Sequence, residues 1–296
     1  MNTFLPRRSA RRLAALTATT AAIAGTLFLS TSADASNDPG AGTRAAGAAS
    51  TTTAANANAG AITLPPTHAG FDYQIGGAYA PPTGVRVVTR DHGATPAPGL
   101  YNICYVNAFQ AQPKAEGDWP ADLLLRRSDG SIVYDGKWKE ALLDLRTPDK
   151  RTAVAAKVNA LVDECASKGF QAVEPDNYDS YTRSEGLLTD DNARDYIALL
   201  SAHAHRRGLA IAQKNTSDLA EHRTALGLDF AVAEECGEWK ECNDYTKYFG
   251  DNVIVIEYTA KGMANACSKW GGQLSIVRRD LDVSPIGAGK YLRKTC

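Results

Sequence analysis

Gly169-Phe170-Gln171-Ala172-Val173-Glu174-Pro175-Asp176-Asn177-Tyr178-Asp179-Ser180-Tyr181 begins as a short apolar strand and ends abruptly in carboxylates and an amide. Charged side chains at the end of a buried strand are costly unless they are paired or bind something. In parallel α/β proteins the ligand sits at the C-terminal tips of the strands. One such strand, taken alone, reads as a polar loop with a helix cap. Recurrence of the pattern along the chain changes that reading.

On the N-terminal side, Thr147-Pro148-Asp149 is a helix start, with Thr as N-cap, Pro at the first position and an acid in the first turn. Val154, Val158, Leu161, Val162 and Cys165 share one helical face, and Lys168-Gly169 ends the helix. On the C-terminal side, Thr189-Asp190-Asp191 caps a second helix that ends at Arg206-Arg207-Gly208, cations at the negative end of its dipole. Further strands are expected at Phe71–Ile75, Leu100–Val106, Ala141–Leu145, Leu209–Ala212, Leu228–Ala233, Val253–Ile256 and Leu274–Val277, with Val85–Val88 as a short accessory strand. Strands that alternate with helices imply a parallel sheet. Eight of them close most simply into a (β/α)₈ TIM barrel, and a single catalytic domain of that fold is predicted. The alternative, a doubly wound open sheet, lacks a Gly-x-Gly-x-x-Gly after its first strand.

The ends of the chain carry other signals. Arg7, Arg8, Arg11 and Arg12 precede an apolar run, Leu13–Leu29, and Ala33-Asp34-Ala35 is a small-x-small cleavage site. Residues 1–35 therefore read as a secretory signal peptide, and the protein as secreted. Residues 36–66 are rich in Ala, Gly, Thr and Asn and read as a disordered linker. The barrel domain is placed at 67–296. Without the leader the chain has 28 basic and 32 acidic residues, a net −4, and no basic stripe, so nucleic acid is not an expected partner. No membrane contact is expected after signal removal, and a monomer is expected.

Six cysteines (Cys104, Cys165, Cys236, Cys242, Cys267, Cys296) in an exported domain read as three disulfides. Cys236–Cys242 would close a short loop, and Cys104–Cys165 would join a strand to an outer helix. Cys267–Cys296 follows by elimination. No Cys-x-x-Cys or paired His supports a metal site, and His203 and His205 point to different helix faces, so no metal or other cofactor is expected.

The barrel gathers the polar strand tips onto one rim: Asp72, Gln74, Tyr105, Asn107, Glu174, Asp176, Asn177, Gln213, Lys214, Asn215, Glu234, Glu235, Glu257, Tyr258 and Asp280. This set has no His and no Ser in a nucleophile turn, which argues against acyl-transfer triads. Paired Asp/Glu flanking a glycosidic bond is the remaining common use of such a rim. A carboxylate from the fourth strand and one from the sixth straddle a substrate better than the crowded Glu174 and Asp176. Glu234 and Glu235 are adjacent, so one of the two points into the mouth. The acid excess would favour a cationic polymer. A non-catalytic carbohydrate-binding barrel is the rival reading.

Phe71-Asp72-Tyr73-Gln74, Tyr101–Tyr105, Gly169–Tyr181, Gln213-Lys214-Asn215 and Ala231–Cys236 together resemble the endo-α-1,4-polygalactosaminidases, glycoside hydrolase family 114. The resemblance implies a barrel that cleaves α-1,4-linked galactosamine polymers without a metal, with Asp176 and Glu234 catalytic. Placement on next-but-one strands favours the short carboxylate separation of a retaining reaction. Asp72, Tyr105, Glu174, Asn177, Lys214, Asn215, Glu235, Glu257 and Tyr258 are the rim residues expected to bind substrate. The neighbouring Glu235 charge is expected to help keep a proton on Glu234.

Overall fold

Thr147 caps the longest helix through its side-chain oxygen, which accepts from Lys150 N, and Gly169 ends it at φ 89°. This helix, α1 (Pro148–Lys168), faces the barrel through Val154, Val158, Val162 and Cys165. A second, α2 (Asp190–Arg206), starts in a capping box in which Thr189 and Asn192 satisfy each other's backbone N–H groups. The computed structural model describes residues 61–296, which lie in one compact unit. The expected leader and residues 36–60 of the expected linker lie outside the described residues. Residues 61–66 lie along the barrel: Ile62 packs on its inner core, and Tyr101 donates to Thr63 O at 2.6 Å.

Among the described residues, eight parallel strands run in sheet order: β1 (Gly70–Gln74), β2 (Val85–Asp91), β3 (Tyr101–Asn107), β4 (Ala172–Asp176), β5 (Ala210–Lys214), β6 (Phe230–Glu234), β7 (Val253–Glu257) and β8 (Ser275–Arg279). A short antiparallel strand, β9 (Arg293–Thr295), lies along β8. The barrel is nearly closed. Where β8 meets β1, Ser275 Oγ accepts from Ala69 N–H at 2.9 Å, Arg293 donates to Phe71 O at 2.9 Å, and Arg279 and Arg293 reach Asp72 at 3.4 and 3.3 Å.

Two strand assignments change. Val85–Val88, expected as accessory, is the start of β2, paired with β1 and β3. Ala141–Leu145, expected as the third barrel strand, lies outside the barrel, where Ala141–Leu142 pairs antiparallel with Gln110–Ala111. An apolar run reports burial without reporting which layer buries it. This run packs with Phe109, Leu125 and Val133 in the outer core. The two changes cancel, so Gly169–Tyr181 still supplies the fourth barrel strand and Glu234 the sixth.

Alternation divides the strands' side chains between two cores. Phe71, Tyr73, Val87, Ile103, Phe230, Val232, Ile254, Ile256 and Val277 fill the barrel with Ala172, Ala210 and Ala212, small residues making room for the aromatic ones. Val173, Ile211, Ala231, Val255 and Ile276 face the helices. The disulfides Cys104–Cys165, Cys236–Cys242 and Cys267–Cys296 are all present, and the first ties β3 to α1.

Candidate active site

Period-two alternation carries the inner face upward from Ala172 to Glu174 and Asp176, from Ala212 to Lys214, and from Val232 to Glu234. These four side chains meet at the barrel mouth. Lys214 is 1 % exposed, and its ammonium reaches Tyr73 OH and Glu174 Oε1 at 3.0 Å, Asp176 Oδ1 at 3.4 Å and Glu234 Oε2 at 3.6 Å. The last two distances hold those carboxylate oxygens within about 7 Å of each other, measured against the ranges known for paired carboxylates.

Each carboxylate has its own donors. Asp176 accepts from Tyr105 OH at 2.8 Å and from Asn177 N–H at 2.7 Å. Glu234 accepts from Asn215 Nδ2 at 2.9 Å and from the Tyr258 hydroxyl, while Asn215 Oδ1 accepts from Glu234 N–H at 2.8 Å. Tyr73 donates to Glu174 at 2.9 Å. The three strands end alike, each followed by a non-glycine residue at positive φ: Asn177 at 70°, Asn215 at 51° and Glu235 at 61°. Such backbone costs energy and is concentrated at functional sites. Here the turns at Asn177 and Asn215 bring a main-chain N–H and a side-chain amide back onto the carboxylates.

The charges are strongly perturbed. Burial works against the Lys214 charge, yet Asp176, Glu234 and Glu174 outweigh it and raise its pKa well above the ordinary lysine value. Burial alone would raise Asp176, but the Lys214 ammonium, the Tyr105 hydroxyl and the Asn177 N–H hold it below the usual carboxylate range. Glu174 is pushed up, first by burial, against the opposing pull of Lys214. Burial and the nearby carboxylates keep Tyr73, Tyr105 and Tyr258 as phenols and therefore as donors.

Of the residues expected on the rim, Tyr105, Glu174, Asp176, Asn177, Lys214, Asn215, Glu234 and Tyr258 converge here. Asp72, Glu235 and Glu257 do not. Asp72 follows Phe71 and precedes Tyr73, which both point inward, so it turns to the β8–β1 seam and pairs with Arg279 and Arg293. Glu235 follows an inward residue, and its charge bears on Glu257. Glu257 shares the outward parity of Val253 and Val255. It is fully buried against the short helix α3 (Cys236–Trp239) and α5 (Ala260–Trp270), the latter preceded by α4 (Cys242–Phe249). Its carboxylate accepts from Gly237 N–H at 2.7 Å, and a Cβ at Gly262 or Gly237 would meet it at 2.0 or 2.8 Å, so this niche requires both glycines.

Burial, helped by Glu235, pushes Glu257 from 4.5 up to about 7. A folded pKa above the unfolded one means the stability it contributes is complete below 4.5 and lost as pH rises through about 7. Glutamine copies the protonated acid. Glu257→Gln is therefore expected to leave Tm unchanged at pH 4.5 and to raise it above wild type at pH 8. Parallel Tm-versus-pH curves for the two proteins would refute this.

Two site residues escaped the sequence reading. Tyr73 was legible from the alternation Phe71/Tyr73, which places it inside the barrel. Glu140 had no pattern to reveal it. It lies in the excursion between β3 and α1, and Asn177 Nδ2 reaches its Oε2 at 3.4 Å.

A nearly closed parallel barrel whose mouth holds two hydrogen-bonded carboxylates on next-but-one strands is the architecture of a glycoside hydrolase. The chain belongs to glycoside hydrolase family GH114, whose model matches residues 51–296. No curated protein matches the sequence. The structure resembles Ega3 of Aspergillus fumigatus, solved in complex with galactosamine, at a TM-score of 0.63 and 20% identity, over 80% of this chain and 98% of that one. It also resembles the glycoside hydrolase domain of PelA from Pseudomonas aeruginosa, at a TM-score of 0.52 and 16% identity, over 74% of this chain and 96% of that one. At these identities the likeness is one of fold.

Proposed function

We propose that the protein is a secreted, retaining endo-hydrolase of α-1,4-linked galactosamine polymers, with Asp176 as nucleophile and Glu234 as general acid/base. The observation that carries this reading is the single Lys214 ammonium lying between the two carboxylates. It holds Asp176 Oδ1 and Glu234 Oε2 within about 7 Å of each other, a spacing that admits the roughly 5 Å of covalent attack. Family membership and the galactosamine complex of Ega3 support the substrate class. The arginine-rich leader and the three disulfides support export.

In this reading an Asp176 oxygen attacks the anomeric carbon as the glycosidic C–O bond breaks. Glu234 gives its proton to the leaving oxygen, then takes one from the water that hydrolyses the glycosyl-Asp176 ester. Lys214, Tyr105 and the Asn177 N–H keep Asp176 ionised. Tyr258 and Asn215 orient Glu234.

The test is stereochemical. When deacetylated α-1,4-galactosaminan is cleaved in an NMR tube, the first reducing ends to appear should be α, with β growing in by mutarotation. First-formed β ends would make the enzyme inverting, and an intact polymer would remove the substrate assignment.

A further inference from the structure

The excursion between β3 and α1 returns toward the mouth through a hairpin in which Asp135 N–H donates to Glu140 O. Glu140 lies on the Asp176 side, within reach of Asn177 and of the Asp176 charge. Asp135 is buried and pairs with Arg183 at 2.5 Å. Glu140 stays partly open, beside Asn177. With its amide nitrogen toward the hairpin, Gln110 donates to Glu140 Oε2 at 2.9 Å, and its oxygen accepts from Ser180 at 2.8 Å and Arg183 at 3.1 Å. Arg183 is already committed to Asp135, to Asp179 at 2.6 Å and to Asn177 Oδ1 at 3.1 Å. No lysine, arginine or histidine among the described residues forms an ion pair with Glu140. Amides thus hold a partly open carboxylate in place beside Asp176 without neutralising it.

We infer that Glu140 is a specificity-determining residue that pairs with the ammonium group of an amino sugar bound against Asp176. The inference rests on the proposed galactosamine-polymer hydrolase and names the side chain that would tell a free amine from an acetamide. An acetamide is neutral, so it would leave the Glu140 charge without a partner and insert a bulky group beside it.

The pH behaviour supports the same role. Burial, followed by the charges of Asp176 and Asp135, pushes Glu140 from 4.5 up to about 7, with Asn107 and Arg183 opposing. Free enzyme near neutral pH is therefore only part ionised at this position, and a bound ammonium would draw the proton off. Binding of a cationic sugar should tighten as pH rises through about 7, until the amine itself loses its charge.

Glu140→Gln keeps the shape and the amide contacts while removing the charge. The measurement is kcat and KM on fully deacetylated and on highly acetylated galactosaminan, from pH 5.5 to 8.5, with Tm as a control on folding. On the deacetylated polymer KM should rise about tenfold relative to its change on the acetylated one, with kcat nearly constant. The rise of 1/KM with pH in the wild type should flatten in the variant. An equal loss on both polymers with an unchanged pH profile would make Glu140 a loop anchor and overturn the inference, while wild-type turnover would leave the hydrolase reading intact. If the wild type cleaves neither polymer, both fall.

Discussion

Asp176→Asn is expected to lower kcat on deacetylated galactosaminan by about a thousandfold or more, because an amide cannot form the glycosyl ester. Glu234→Gln should cost a similar factor on the polymer, where the leaving oxygen needs a proton. The two variants part company on an aryl glycoside whose leaving group departs as a stable anion. There the first step should recover in Glu234→Gln and remain absent in Asp176→Asn. Neither substitution should unfold the protein, since each leaves Lys214 among two remaining carboxylates and keeps a polar group against the same donors. Should either variant turn over polymer at near wild-type rate, the pair is misassigned. Glu174 would be the next carboxylate to test, as it faces the same ammonium, whereas Glu257 lies on the far side of the strand wall.

Lys214→Met should be as damaging to the fold as Asp176→Asn is to turnover. Methionine fills much of the same volume but leaves Glu174, Asp176 and Glu234 at the mouth without the cation that contacts all three. Breaking a buried ion pair from one side costs about 3–5 kcal/mol, which for a domain of this size lowers Tm by about 10 °C. The sign of the pH dependence is fixed by linkage. Without Lys214 the folded pKa values of Asp176 and Glu174 rise, so the stability they contribute survives in acid and is lost as pH increases. The deficit against wild type should therefore be larger at pH 7.5 than at pH 4.5. A deficit below about 1 kcal/mol, or one that ignores pH, would show that Lys214 does not hold this charge cluster together.

Alternation and punctuation determined much of this protein at the level of sequence. Thr147-Pro148 and Thr189-Asp190 start helices through capping that is local to a few residues, so tertiary context had little to override. Acid-tipped strands at β4 and β6 marked the face that carries the mouth, because every parallel strand of a barrel ends on the same rim. The inward parity of Lys214 and Glu234 follows from Ala212 and Val232 two positions before them, and that of Glu174 and Asp176 from Ala172 two and four positions before.

Other features depended on distance in space. Val85–Asp91 and Ala141–Leu145 are both apolar runs. Membership of the barrel was decided by where the backbone found its neighbours, the parallel strands β1 and β3 for the first and antiparallel partners within the excursion between β3 and α1 for the second. Asp72 left the site because the barrel must close, and the seam offered it two arginines from a segment more than 200 residues away. Glu257 left it because the pleat turned its side chain outward, into a niche that needs two glycines from separate helices. Glu140 entered it by the opposite route. Nothing in a long irregular loop predicts where its carboxylate will come to rest. Its place beside Asp176 was set by long-range contacts with Asn177 and Gln110, and its pKa by burial there.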